Sequence, residues 1–229
     1  LNTFSAKHAV EFAKGCHDAV LIHVSTAYVC GSRTGKVAEE LRPPYETCAA
    51  QHREETGEAI PDTLEAEIEE MLRLSEAVRI EAEQPQQRHQ FRHEALRQLG
   101  TGKQNNAELL NKQIDIVRDK WIEARLVDVG MKRAESRGWN DTYTYTKALG
   151  EQMIAKVRGD LPTAIIRPSI IESSLEEPEP GWLDGFRMAD PIIVGFGKGR
   201  LPDFPGDPDI ILDIIPVDFV VNAILAAAM

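Results

Sequence analysis

Cysteine is scarce in this chain. There are three in 229 residues, and Cys16, Cys30 and Cys48 are too scattered to form a disulfide framework. A reducing, cytoplasmic setting is the expectation. There is no CxxC pair and no histidine cluster at metal-ligand spacing. Cys48 and His52 are one helical turn apart, but two ligands alone do not make a metal site. No apolar run reaches the length that crosses a bilayer, and no basic segment leads into an apolar one at the start, so neither a transmembrane segment nor a signal peptide is expected. An excess of positive charge is also missing. The net charge of −11 repels phosphate backbones and anionic lipids at long range, which argues against nucleic acid as the main partner. A local basic patch can override that field, so a phosphate-bearing cofactor or a CoA ester stays open.

What is present is an ordinary globular balance, with 42% hydrophobic and 28% charged residues. The length suits one large domain, or one domain with an insertion. Residues 5–14 read as a helix with Ala6, Ala9, Val10 and Ala13 on one face and Gly15 closing it. The apolar run 19–24 then suits a strand buried on both faces of a parallel sheet, ending in Ser25-Thr26-Ala27-Tyr28 and a loop from Gly31 to Gly35. Residues 41–135 change character, rich in Glu, Gln and Arg. Helical spacing appears from Leu64 through Ile68, Met71, Leu72, Ser75 and Val78, with Asp62 as the expected N-cap. Further helices are expected over 87–99 and 107–125, separated by Gly100-Thr101-Gly102. Residues 142–156 are again helical, with Tyr143, Lys147, Gly150 and Ile154 on one face. A buried-type strand follows over 163–167, and a Pro- and Gly-rich loop region over 173–206. A short strand over 210–215 and an apolar helix introduced by Pro216 and Asp218 end the chain.

This order predicts an α/β fold: a partial Rossmann-like, doubly wound parallel sheet with a long helical insertion and a small C-terminal substrate-binding region. The expected segments are 1–40 (Rossmann-type), 41–135 (helical insertion), 136–172 (Rossmann-type) and 173–229 (substrate-binding region with the last strand and helix). No internal repeat stands out.

Two groups of residues carry chemistry. Tyr143 and Lys147, four apart on a helix, lie on the same face. A free phenol has a pKa of about 10, and a nearby ammonium stabilises the phenolate, so the pair is a general acid/base candidate. Tyr145 has no lysine at that spacing. The bland alternative is a tyrosine beside a surface lysine. Ser25 and Thr26 sit where a parallel strand ends, the place where ligands bind in open α/β sheets. A hydroxyl there can hold a carbonyl oxygen or the oxyanion that develops from it, or it can be a polar strand end with no role.

Taken in order, Val24-Ser25-Thr26-Ala27-Tyr28-Val29, then Tyr143-xxx-Lys147, then Ile165-Ile166-Arg167-Pro168-Ser169 resemble the extended short-chain dehydrogenase/reductase superfamily. Residues 23–31, 145–151 and 206–208, and the stretch Asp213-Ile214-Ile215-Pro216-Val217-Asp218, look like the male-sterility-type reductase domain of fatty acyl-CoA reductases. The long insertion resembles that of the bacterial members. The resemblance implies a catalytic triad of Thr26, Tyr143 and Lys147 supported by Ser25, and cofactor contacts from Tyr143, Lys147, Arg167, Pro168 and Ser169. It also implies NADPH as cofactor and a fatty acyl-CoA or acyl-carrier-protein thioester as substrate, reduced to an aldehyde and, by a second hydride, to an alcohol. Residues 173–206 would form the substrate side, with Trp182, Phe186, Met188 and Phe196 candidates for an acyl channel and Lys198 and Arg200 for CoA phosphates. Core packing and a solvated basic loop are the plainer readings of those residues.

The chain departs from the family in one respect. No Gly-rich pyrophosphate fingerprint follows a first strand. Gly195-Phe196-Gly197-Lys198-Gly199 and Gly100-Thr101-Gly102-Lys103 read as loops. Leu1 reads as an interior position, so the expectation is an N-terminally incomplete domain, inactive alone and prone to associate, as a homo-oligomer for instance, through an exposed sheet edge. Two other functions remain: an extended-family enzyme acting on a nucleotide sugar or sterol, and a non-catalytic interaction module.

Overall fold

The computed structural model describes residues 2–33, 35–39, 63–100, 106–186, 189–203, 206, 207 and 209–229. It divides into two compact units, one of Leu1–Cys30 with Gly150–Met229 and one of Gly31–Leu149.

The first is an α/β unit. Helix α1 (Asn2–Lys14) leads to β1 (Leu21–Val24), and a 3-10 turn (Ala27–Cys30) follows. After the end of α5 (Thr142–Val157) come β2 (Thr163–Ile166), β3 (Ile170–Glu172), α6 (Asp190–Gly197), β4 (Ile214–Pro216) and α7 (Val217–Ala228). (The intervening α2, α3 and α4 belong to the helical unit.) Ala6 and Val10 from α1 close on Ile154 of α5, with Leu21, Val157 and Leu161 packed around them. Val10 and Ile154, fully buried, contribute roughly 1.5–3 kcal/mol each. The helices approach closely because α5 carries Gly150: a Cβ there would stand 3.2 Å from the carbonyl oxygen of Asn2.

Strand β1 pairs in parallel with β2, Leu21 opposite Thr163 and Val24 opposite Ile166, and β3 pairs in parallel with β4. The single doubly wound sheet expected from the sequence is therefore not what the described strands form; they make two separate pairs. Between β2 and β3 the chain runs through Arg167-Pro168-Ser169, and proline has no N–H to continue a ladder. The strands are half-buried rather than buried on both faces, because each has one strand neighbour among the described residues. The strand expected over 210–215 shrinks to Ile214–Pro216, set by the length of its three-residue partner, and Ile210, Ile211 and Leu212 stand exposed. The region 173–206 is not all loop. Pro191 at the first turn and the run Ile192-Ile193-Val194 make α6, which ends at Gly197, so Gly195 and Gly197 are helical.

The second unit is helical. Helices α2 (Leu64–Ala82), α3 (Pro85–Leu99) and α4 (Ala107–Glu135) pack through Val78, Ala82, Phe91, Ala95 and Leu110, and α5 begins here. The Phe91 and Trp121 rings meet at 5.6 Å. Helix α2 is capped by Thr63, whose hydroxyl accepts from the Ala66 N–H at 3.2 Å. The expected cap, Asp62, lies outside the described residues, as do Leu1, Cys48, His52, Gly102, Lys103, Met188 and Pro208. Helix α4 runs ten residues beyond the expected end at Arg125. There Glu67, fully buried, takes Arg133 at 2.7 Å and Arg137 at 3.2 Å. No helix among the described residues is long and apolar enough to cross a membrane.

Candidate functional site

In the α/β unit the parallel pairing of β1 with β2 brings two sequence-predicted groups together. The ladder continues past the strands: the Ser25 N–H donates to the Ile166 carbonyl at 2.7 Å and the Ala27 N–H to the Pro168 carbonyl at 2.9 Å. Ser25 and Thr26 thus lie beside Arg167-Pro168-Ser169 at the carboxyl ends of the two strands. Both hydroxyl residues are buried. Thr26 Oγ1 accepts from the Tyr28 N–H at 3.3 Å, an arrangement that shapes the following 3-10 turn. Ser25 Oγ has no hydrogen-bond partner among the described residues, although it is sealed from solvent. A buried hydroxyl without a partner costs free energy unless something supplies one.

The Arg167 guanidinium clasps Glu151 of α5, at 3.0 Å and 2.6 Å, with that carboxylate buried. The pair ties the end of β2 to α5. Pro168 is buried and Ser169 half-buried. Glu151, on the face one turn beyond Lys147, was not singled out from sequence; a buried acid next to a strand-end arginine has no local signature.

In the helical unit, Tyr143 and Lys147 stand on the first turns of α5. Asp141 opens that helix, accepting at Oδ1 from the Thr144 N–H at 2.7 Å. Tyr143 is half exposed, and Lys147 Nζ sits 5.9 Å from its ring centroid. Tyr145, by contrast, is fully buried against Trp139, their rings 4.9 Å apart. One tyrosine of the pair packs the core, and the other is exposed.

The NAD-binding family described as "Male sterility protein" matches residues 1–224. The chain belongs to this family. Membership carries a Rossmann-like α/β fold and a nicotinamide cofactor. Among relatives, the chain is 39% identical over 228 residues to "Fatty acyl-CoA reductase 2, chloroplastic" of Arabidopsis thaliana, covering 99% of this chain and 31% of that protein. It is 35% identical over 228 residues to "Alcohol-forming fatty acyl-CoA reductase" of Simmondsia chinensis, covering 99% and 38%. A human protein, "Fatty acyl-CoA reductase 2", is 41% identical over 107 residues, 47% of this chain and 21% of its own length. The chain spans about a third of the length of the two plant relatives. These relatives are eukaryotic and two of them match nearly the whole chain, insertion included, so the narrower likeness to bacterial members is not supported.

Within the α/β unit, the buried Ser25 hydroxyl at the strand ends, without a partner among the described residues, fits a polar group of such a cofactor. Within the helical unit, the Tyr143 phenol is exposed and Lys147 is half-buried. The candidate substrate-side residues Trp182, Phe186 and Phe196 are exposed, as are Lys198 and Arg200.

Proposed function

We propose that the full-length protein reduces long-chain fatty acyl-CoA, or the acyl-carrier-protein thioester, to a fatty aldehyde and onward to the alcohol with NADPH. The observation that carries this reading is likeness over the whole chain to plant proteins named as fatty acyl-CoA reductases, one of them alcohol-forming. NADPH rather than NADH, the cytoplasm as compartment and residues 41–135 as an insertion are parts of the same proposal.

Thr26, Tyr143 and Lys147 act together, with Ser25 in support. The nicotinamide, when bound, supplies the hydride that reaches the thioester carbonyl carbon. Thr26 and Tyr143 hold the carbonyl oxygen, and Tyr143 donates its phenolic proton there as negative charge develops. The Lys147 ammonium stabilises the phenolate left behind and would bond the nicotinamide ribose. The resulting hemithioacetal collapses to an aldehyde and the thiol. Arg167, Pro168 and Ser169 would contact the bound cofactor, and Arg167 also holds Glu151.

The test is NADPH oxidation by the full-length protein with a long-chain acyl-CoA and, separately, a nucleotide sugar. Acyl-CoA-dependent loss of NADPH with release of free thiol is expected, and Tyr143→Phe should lower kcat by about 10²–10⁴-fold. Turnover of the nucleotide sugar alone, or full activity in Tyr143→Phe, overturns the reading. Failure to bind NADPH would point to an interaction module.

A further inference from the structure

The motif Pro216-Val217-Asp218 has no part in the proton and hydride chemistry, yet Asp218 is buried. Its carboxylate leaves the first turn of α7 to reach the loop after β3. There Oδ1 accepts from the Leu175 N–H at 3.0 Å, and Oδ2 from the Glu176 N–H at 3.0 Å and the Glu177 N–H at 3.3 Å. One carboxylate thus fixes three consecutive amides. The adjoining residue, Ser174, is buried too. Its hydroxyl donates to the Glu179 carbonyl at 2.6 Å and accepts from the Trp182 N–H at 3.1 Å, while its backbone exchanges hydrogen bonds with Gly181 and Trp182. The loop is therefore framed from inside by buried polar groups. Among the side chains it turns outward, beside Glu176, Glu177 and Glu179, are two large apolar ones: Leu175 is 54% exposed and Trp182 43%.

We infer that Asp218 is a positioning residue that, by fixing the amides of Leu175, Glu176 and Glu177, sets the stance of Leu175 and Trp182 as contacts for a long acyl chain. The inference rests on the reductase reading above and names the residue that shapes its apolar substrate contact. Asp218→Asn is nearly isosteric, but it turns one acceptor oxygen into a donor facing backbone N–H groups, so at least one of the three amides loses its partner.

In the full-length protein, Asp218→Asn should raise KM for a long-chain acyl-CoA by about tenfold, the scale of one hydrogen bond to a charged group. KM for a short-chain acyl-CoA and for NADPH should move much less. Amide exchange should quicken over 174–182 with the rest of the α/β unit still protected. On a Trp182→Leu background the same substitution should add little, because both act on one contact. An equal rise in KM for long and short chains, or full additivity with Trp182→Leu, makes Asp218 merely structural and overturns the inference. Acyl-CoA turnover in the unaltered protein with no KM change in Asp218→Asn overturns the inference alone. No acyl-dependent NADPH loss in the unaltered protein overturns the reductase reading and the inference with it.

Discussion

The two units bury carboxylates in opposite ways. In the helical unit Glu67 is fully enclosed and answered by two guanidinium groups, Arg133 from the end of α4 and Arg137 from just beyond it. In the α/β unit Glu172 at the end of β3 and Asp190 at the start of α6 are both buried, and the Glu172 carboxyl meets that of Asp190. Two acids cannot both be ionised at hydrogen-bond distance, so this pair holds a proton. Asp218, a third buried acid, is answered by backbone N–H groups. Counter-charge fixes a helix bundle over a wide pH range. A shared proton gives an anchor that titrates. That titrating anchor joins the two ends of the loop carrying Leu175 and Trp182, since Glu172 precedes the loop and Asp190 follows it. The α/β unit also uses an ion pair, Arg167 with Glu151, but at the strand end rather than at this loop.

The sharpest way to break the contrast is to remove the acid of the helical unit. Glu67→Ala leaves Arg133 and Arg137 with uncompensated buried charge and should cost about 3–5 kcal/mol. Chemical denaturation, with amide exchange in α2 and α4, would register it. Replacing all three residues by apolar ones of similar volume should recover most of that loss, because desolvation of the charges disappears along with their attraction. If Glu67→Ala unfolds within about 1 kcal/mol of the parent, the cluster is not what joins α2 to α4.

The acid pair of the α/β unit gives a smaller effect with a sign. Burial first, and then the hydrogen bond and charge of Asp190, push the Glu172 carboxyl up to about 7 from its ordinary 4.5. Between those values the native state keeps a proton that the unfolded chain gives up. The stability this proton confers is therefore full below about 4.5 and is lost as pH rises through about 7. Asp218 runs the other way. Burial raises its carboxyl, but the N–H donors of Leu175, Glu176 and Glu177 together outweigh that and bring it below its ordinary 3.8. Its contribution is full above 3.8 and lost as pH falls through the folded value. The loop's two anchors are jointly strongest in mildly acidic solution. Urea midpoints of the α/β unit at pH 5 and pH 8, as readings on either side of about 7, should fall for the parent and stay nearly level for Glu172→Gln. Equal slopes for the two proteins would remove the shared proton from the account.

How far the sequence foretold this depends on the range of the interaction. The helices were legible because their apolar residues recur locally: Leu64, Val78 and Ala82 on α2, and Ala6 and Val10 on α1. The placement of Ser25 and Thr26 at a strand end and of Tyr143 and Lys147 on one helix was legible from local pattern too. What escaped depends on partners distant in the chain. The ion pair of Arg167 with Glu151 has no local signature, and Glu172 and Asp190 belong to different elements, Asp190 within a region read as loop. The strand over 210–215 was overread because apolar Ile210, Ile211 and Leu212 look buried when only their hydropathy is known.

The smallest effect concerns helix ends within the helical unit, where α2 and α3 differ in one group. Thr63 holds an extended backbone, φ −124° and ψ 147°, and its hydroxyl satisfies the Ala66 N–H. Thr63→Ala should therefore cost about 1 kcal/mol. Gln84 occupies the same position before α3 with an extended backbone, φ −61° and ψ 141°, but makes no side-chain cap; Pro85 follows at the first helical position. The proline removes one N–H that would otherwise need a partner and presets the helical φ, which is how this end manages without a cap. The next two N–H groups of the first turn remain open to a side-chain acceptor. Gln84→Ser should supply one and raise the thermal midpoint of the helical unit slightly, by less than the loss from Thr63→Ala. A midpoint unchanged by Gln84→Ser would mean that solvent already satisfies those groups and that Pro85 alone sets the start of α3.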